Sequence, residues 1–566
     1  MKNLIKVLIK VIKSFSLEEK VLATVFGFLF IFFTVKGAAF IAGPNLVFAD
    51  TGVYTEGLIS TKQVLINPLY VDFSNANRDI SSLVFSGLLK YDPKFKGFID
   101  DLANLKISED KKDYLLTLKD DLKWHDGEPL TIDDVIFTYG IIQDADFQNP
   151  LIKANFEGVK IEKVDDKTVK FSITRPNSFF ITNLNVGILP KHLLHDIPVH
   201  ELITNQFNLK AVGSGPYKVA GQLEVAPDGK QKVTLLLNDQ YYSAKPSIKE
   251  IRFVISPDDE ILLKEKGSIN IISKITGKLS ELQADSRFGV KSYSLPQYTA
   301  VFFNTDKGFL KQNKFRIGLI KSIDKDNLLT KLVNKARVDT PLMDLSQKDW
   351  INKTDLKEAN GAFFDVGLKY KKDDKGQVLP EEIYRRDKDG KEVELSLLAR
   401  DYGIGTSLSE DNQKTVEYLV EAWKQVGIKI VPKFLNEEDF MTAIRARDYD
   451  MVLTGQSMGY NLDTFTFWHS SQAKETGSNL SNLKSFPVDQ QIEKIRETFD
   501  VSEKDDRQKH LAELISNEAP ALFLYRPANT FLTDDKVKNI GLDNLAFESD
   551  RFANIRDWCI GKECKN

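Results

Sequence analysis

At 566 residues, 42% apolar and 28% charged, the chain is too long for one hydrophobic core and too apolar for large-scale disorder. Its net charge of −4 gives no nucleic-acid footprint, and its two cysteines, Cys559 and Cys564, have no histidine near enough for a zinc site. The charge is uneven: residues 1–36 carry six lysines and two acids, a net of +4, which leaves −8 for the rest.

The first element is an uncharged apolar run, residues 21–35. As a helix it spans about 22 Å, short of a hydrocarbon core of roughly 30 Å. Extended through Lys36 to Ala42 it spans about 33 Å, with the lysine reaching for the interface. Five lysines precede it, which puts residues 1–20 in the cytoplasm and the body outside. Two readings are open for 21–42: a transmembrane anchor, or a signal segment cut after Val47-Phe48-Ala49. No cysteine follows closely behind the run, so a lipoprotein route is closed.

Beyond residue 50, strand and helix patterns alternate. Ile80, Leu83, Val84 and Leu88 recur at helical spacing. Tyr114, Leu116 and Leu118 alternate as in a strand, and Trp124-His125-Asp126-Gly127 turns the chain. Thr131 and Asp134 start a helix in the manner of a capping box. Val169, Phe171 and Ile173 form a strand stopped by Pro176. Asp228-Gly229 and Asp389-Gly390 predict hairpins of type I′. The clearest unit runs from 393 to 431: strand, a helix with Val416, Leu419, Val420, Trp423 and Val426 on one stripe, Gly427 as its stop, then strand. That order predicts a parallel sheet. At the C-terminus Cys559 and Cys564 are either a small local disulfide or two free thiols.

No catalytic set emerges. His192, His195 and His200 match no metal spacing, and Gly213-Ser214-Gly215-Pro216 is not a nucleophile elbow. His125-Asp126 has the form of a base with its orienter, but a polar turn behind Trp124 explains it as well. Phosphate-binding glycine motifs are missing, and no cofactor is expected.

Several stretches, in order, carry a resemblance: Asn67-Pro68-Leu69-Tyr70, VFSGLLKYD (84–92), LKWHDGEPLTIDDVIFTY (122–139), ILPKHLL (188–194), VGSGPYKV (212–219), YYSAKPSIKEIRF (241–253), VFFNT (301–305) and RDYDMVLTGQSMGYNLDTFTFWHSSQ (447–472). Together they resemble extracytoplasmic solute-binding protein family 5, the peptide- and nickel-binding receptors of ABC importers. The resemblance implies an α/β, three-lobed fold of the class II periplasmic-binding-protein type. Lobe I would comprise 52–72, 213–298 and 525–566; lobe II, an extra lobe, 73–212; and lobe III 299–524. Lobes I and III would close on an oligopeptide or similar solute, passed to an ABC permease with its ATPase subunits. The receptor would be a monomer, single-pass in the cell membrane with its body extracytoplasmic. The alternative is a membrane-anchored peptide sensor or chaperone with the same fold and no permease, which fold similarity alone does not separate from an importer.

The resemblance also places a ligand site at Tyr298, Gln456, Ser457, Met458, Tyr460 and Asp463. In peptide-binding relatives an Asp ahead of the D-x-F element holds the ligand's amino group; aligning Asp463-Thr464-Phe465 to that element puts Met458 there. Either a free amino terminus is not the recognised group, or Asp463 or Glu56 supplies the counter-charge. Phe465 and Trp468 are expected to serve packing.

Overall fold

The computed structural model describes residues 52–566 apart from 258–261, 263–268, 276–287, 343–352, 373, 376, 379–381, 403–406, 461–462, 562–563 and 565–566. The apolar run 21–42, with both of its readings, lies outside the described residues. Among the described residues no helix is long and apolar enough to cross a membrane.

Strand β1 (Val53–Ile59) is buried at five successive positions, the pattern of a strand covered on both faces. A helix, Asn75–Val84, follows with Ile80, Leu83 and Val84 buried as their spacing predicts. β2 (Leu89–Asp92) and β3 (Gly97–Asp100) form a hairpin. β4 (Ala103–Ile107), β5 (Asp113–Leu118), β6 (Lys160–Lys163) and β7 (Thr168–Ser172) make an antiparallel sheet in the order β4-β5-β7-β6. Tyr114, Leu116 and Leu118 of β5 all face inward. Between β5 and β6 the helix Ile132–Gln143 starts where expected, with the Thr131 N–H donating to Asp134 Oδ2 at 2.8 Å.

β8 (Tyr217–Val219), β9 (Glu224–Val225), β10 (Gln231–Leu237) and β11 (Glu250–Ser256) pair antiparallel, and β11 lies parallel to β1. β12 (Ile271–Ile275) takes the other side of β1. Next come β13 (Phe288–Ser294), β14 (Gln297–Phe303), β15 (Lys335–Arg337), β16 (Glu394–Arg400), β17 (Lys429–Leu435), β18 (Met451–Ser457) and the long β19 (Ala521–Asp534). β20 (Val537–Lys538) pairs with β21 (Cys559–Ile560) near the C-terminus. The main sheet runs β17-β16-β18-β14-β19-β12-β1-β11-β10-β8, with β13 and β15 on β19 and β9 on β10. As the 393–431 pattern predicts, β16 and β17 are parallel and joined by the helix Ser407–Gln425. Gly427, at φ +81°, turns the chain out of that helix.

The sheet has two halves with separate cores. On the β1 side one core takes in Tyr54, Leu69, Ile80, Trp124, Tyr139, Phe253, Phe531 and Trp558 and most of the buried apolar residues of 73–212; Phe179 instead packs in the other half, where the Ser178 N–H donates to Arg496 O at 2.6 Å. The β14–β18 side has a core on each face, one around Leu319 and Trp423 and one around Tyr298, Trp468 and Phe523. Among the described residues of the sheet, two chain passages join the halves. β19 pairs with β14 through residues 521–525 and with β13 through 528–534, while Leu295-Pro296 links β13 to β14.

The Asp-Gly turns differ from the type I′ expectation. Gly229 and Gly390 have positive φ, but Asp228 and Asp389 do not. The bonds Gly229 N–H to Ala226 O and Ala226 N–H to Lys230 O define a three-residue loop, repeated at residues 387–391. A type I turn followed by a left-handed glycine satisfies this with one unusual residue, not two. Cys559 and Cys564 are joined in a disulfide.

Candidate functional site

Two stretches that carry the resemblance meet in the β1-side core. The His125 N–H donates to Gly213 O at 2.9 Å, and the Gly213 N–H donates back to His125 Nδ1 at 3.1 Å. Nδ1 is thus an acceptor, so Nε2 carries the proton and donates to Gly215 O at 3.0 Å. Burial lowers the pKa of this imidazole to about 4, against the raising effect of the Gly215 bond. Both nitrogens are spent on backbone, so His125-Asp126 is a structural turn and not a base with its orienter. The glycines are there for contact: a Cβ on Gly213 would lie 1.9 Å from Val84 O, and one on Gly215 2.5 Å from Leu83 O.

Of the residues placed by sequence in a ligand site, Tyr298 lies on β14, Gln456 and Ser457 end β18, and Met458, Tyr460 and Asp463 follow it. Tyr298 and Gln456 are cross-strand partners, and the tyrosine hydroxyl donates to Gln456 Oε1 at 2.5 Å. Gln456 Nε2 donates to Ser478 O at 3.3 Å. Both are buried, as is Met458, which packs with Trp468 and Phe523. The Met458 N–H donates to Pro296 O at 2.7 Å, tying this strand end to the passage between the sheet halves. Ser457 is exposed. Asp463 accepts from Phe465 N–H at 3.1 Å and pairs with Arg496 Nε at 3.0 Å, while Arg496 stacks on Phe465 at 4.1 Å. Phe465 and Trp468 pack as expected.

Tyr460 behaves differently. Gly459, at φ +64°, directs the chain outward, and Tyr460 leaves its own half of the sheet. Its ring meets Tyr91 of β2 at 5.0 Å, Phe98 of β3 at 5.3 Å and Phe547 of the C-terminal tail at 4.8 Å. Its hydroxyl donates to Asp550 Oδ1 at 3.0 Å. Asp550 Oδ2 accepts from the Ala546 and Phe547 N–H groups at 2.9 and 2.8 Å. Burial raises the pKa of this carboxyl to about 6, against the pull of those donors. Sequence reasoning missed Tyr91, Phe98, Phe547 and Asp550. The one local signal was Asp550 three residues after Phe547, a helix-start spacing in the tail.

The carboxylates considered as a counter-charge for a ligand ammonium already face arginines. Besides the Asp463–Arg496 pair, Glu56 Oε1 lies 2.7 Å from Arg551, which also holds Asp79 Oδ2 at 2.7 Å. Tyr54 donates to Glu56 Oε2 at 2.6 Å. Burial raises the Glu56 pKa, and Arg551 opposes it. This cluster is almost wholly shielded from solvent.

The histidine-rich stretch lies elsewhere. His192 Nε2 is 2.9 Å from Asp126 Oδ2, and His192 and His195 line an open depression of about 320 Å³ with Glu128, Asp133, Asp134 and Lys191. Among the described residues no group of His, Cys, Asp and Glu is arranged to hold a metal.

Known proteins share this architecture. Over 516 residues the chain is 24% identical to the oligopeptide-binding protein AppA of Bacillus subtilis, covering 88% of this chain and 90% of that protein. It is 23% identical over 447 residues to the dipeptide-binding protein of Escherichia coli, covering 74% of this chain and 79% of that one. The structure of Bacillus subtilis AppA with a nonapeptide matches at TM-score 0.71 and 24% identity, over 90% of this chain and 99% of that chain. NikZ of Campylobacter jejuni with Ni(L-His) matches equally, at 0.71 and 24%, over 90% and 100%. At such identities structural likeness establishes the fold. Residues 97–478 match the middle region that defines a family, and with that the chain belongs to the bacterial extracellular solute-binding proteins of family 5.

Proposed function

We propose that this protein is the extracytoplasmic substrate-binding component of an ABC importer, taking up oligopeptides or a similar elongated solute. In this reading lobe I (52–72, 213–298 and 525–566) closes on lobe III (299–524), and lobe II (73–212) widens the wall of the cleft. The observation that carries the reading is the sheet with two separately packed halves joined by Leu295-Pro296 and β19, since two rigid bodies on a few connecting strands are what hinge closure requires. The family supports the receptor role, and relatives named for oligopeptides and dipeptides support the solute class. The run 21–42 would tether the body to the outer face of the cell membrane.

The finer reading concerns the ligand's amino group. Asp463 and Glu56 each already face an arginine, and Met458 is buried among aromatic side chains. A ligand ammonium would have to compete for those carboxylates, so we expect recognition through the peptide main chain instead. Thermal-shift screening of the full chain with pentapeptides, free and N-acetylated, tests this. Stabilisation by both forms alike supports the reading. Stabilisation by free peptides alone defeats the amino-group argument, and stabilisation by Ni²⁺–histidine alone defeats the peptide assignment.

A further inference from the structure

We propose that Tyr460 is a solute-independent clasp that holds the two halves of this receptor together. The inference rests on the hinged reading above but not on the identity of any solute. Tyr460 belongs to the half built on β14–β18, and all its named partners belong to the other. Its ring enters a socket of Tyr91, Phe98 and Phe547, and its hydroxyl reaches Asp550. Gly459 brings its backbone against the Phe547 ring, where a Cβ would come within 3.1 Å.

The socket is assembled without Tyr460. The Tyr91 hydroxyl donates to Asn544 O at 2.9 Å and Asn544 Nδ2 donates to Pro93 O at 3.2 Å, binding the β2–β3 hairpin to the tail. Arg78 stacks on Phe547 at 3.9 Å. Arg551, next to Asp550, anchors the tail through Glu56 and Asp79. Asp550 is oriented by two backbone N–H groups before any hydroxyl arrives. A preformed acceptor and three preplaced rings give the arriving tyrosine a large gain at little entropic cost. All of it is made when the halves meet and lost when they part, so it biases the open–closed equilibrium by its full strength whatever lies in the cleft.

A hydrogen bond to a carboxylate, lost without change in the rings, shifts such an equilibrium by roughly tenfold. Truncating the ring removes more. The test is the distance between spin labels at Asp166→Cys and Asp448→Cys in the full chain, in lipid nanodiscs and with no solute. Both positions are exposed and lie in opposite halves. We expect a dominant short separation for the unmodified site. Tyr460→Phe should add a longer one, and Tyr460→Ala should make the longer one dominant. A long separation without any substitution overturns the clasp, and so does a Tyr460→Phe distribution that matches the parent. Because Tyr460→Phe keeps the rings, it decides the matter even if Tyr460→Ala fails to fold. No solute is present, so failure of the peptide assignment leaves this result intact.

Discussion

The junction of residues 124–127 with 213–215 and the loop that begins at the end of β18 (456–460) are built in opposite ways. At the junction both nitrogens of the His125 ring are taken up by nearby backbone, and two glycines let that backbone sit against the carbonyls of Leu83 and Val84. At the loop the polar atoms are divided. Tyr298, Gln456 and Asp463 are satisfied within their own half of the sheet, while Tyr460 reaches across to the other half. The first arrangement makes a rigid wall; the second, on the hinged reading proposed above, is an interface that opens. A receptor needs both, and substitutions should separate them.

The largest effect is expected at the junction. In Gly213→Ala the new methyl meets Val84 O, a backbone atom with no room to move, so a loss of about 4 kcal/mol or more should appear in urea unfolding. Arg551→Met leaves Glu56 and Asp79 buried without their cation and should cost about 3–5 kcal/mol by the same measurement. A loss under about 1 kcal/mol, the range of an exposed pair, would mean that solvent reaches the cluster.

His125 makes the junction sensitive to pH. Its folded pKa, about 4, lies below the ordinary 6.5, so the unfolded chain binds the extra proton between those values. The His125 contribution is complete above pH 6.5 and is lost as pH falls through 4, by about 3 kcal/mol in all. Asp550 works the other way: its folded pKa, about 6, is raised, so its contribution is present at low pH and lost as pH rises through 6. The stability difference between the parent and His125→Gln should therefore shrink on going from about pH 7 to about pH 4. A difference that stays constant would show that the ring is not held neutral. The smallest effect belongs to the loop: Tyr460→Phe should change global unfolding by only about 1.5 kcal/mol. A loss as large as that of Gly213→Ala would put Tyr460 in a core and erase the contrast.

Much of the fold was legible in the sequence because its signals are local. The 393–431 unit declares itself through a helical stripe and Gly427, and the helix at 132 through Thr131 and Asp134. The Asp-Gly pairs announced hairpins, but the turn type depends on one φ angle that the dipeptide alone does not set. The site was less legible. Met458 reads equally well as wall or as core, Tyr298 and Gln456 read as cleft candidates, and only packing shows that all three are buried. The partners of Tyr460 lie 90 residues later, at Asp550, and far earlier in the chain, at Tyr91 and Phe98, and no periodicity links such positions.

Closure on peptide by hinging is tested head-on by the spin-label distance between Asp166→Cys and Asp448→Cys with and without a saturating pentapeptide. Peptide binding should remove any long-separation population, and in Tyr460→Ala it should restore the short separation at a higher peptide concentration. A peptide that binds tightly while leaving the Tyr460→Ala distribution unchanged would contradict hinged closure.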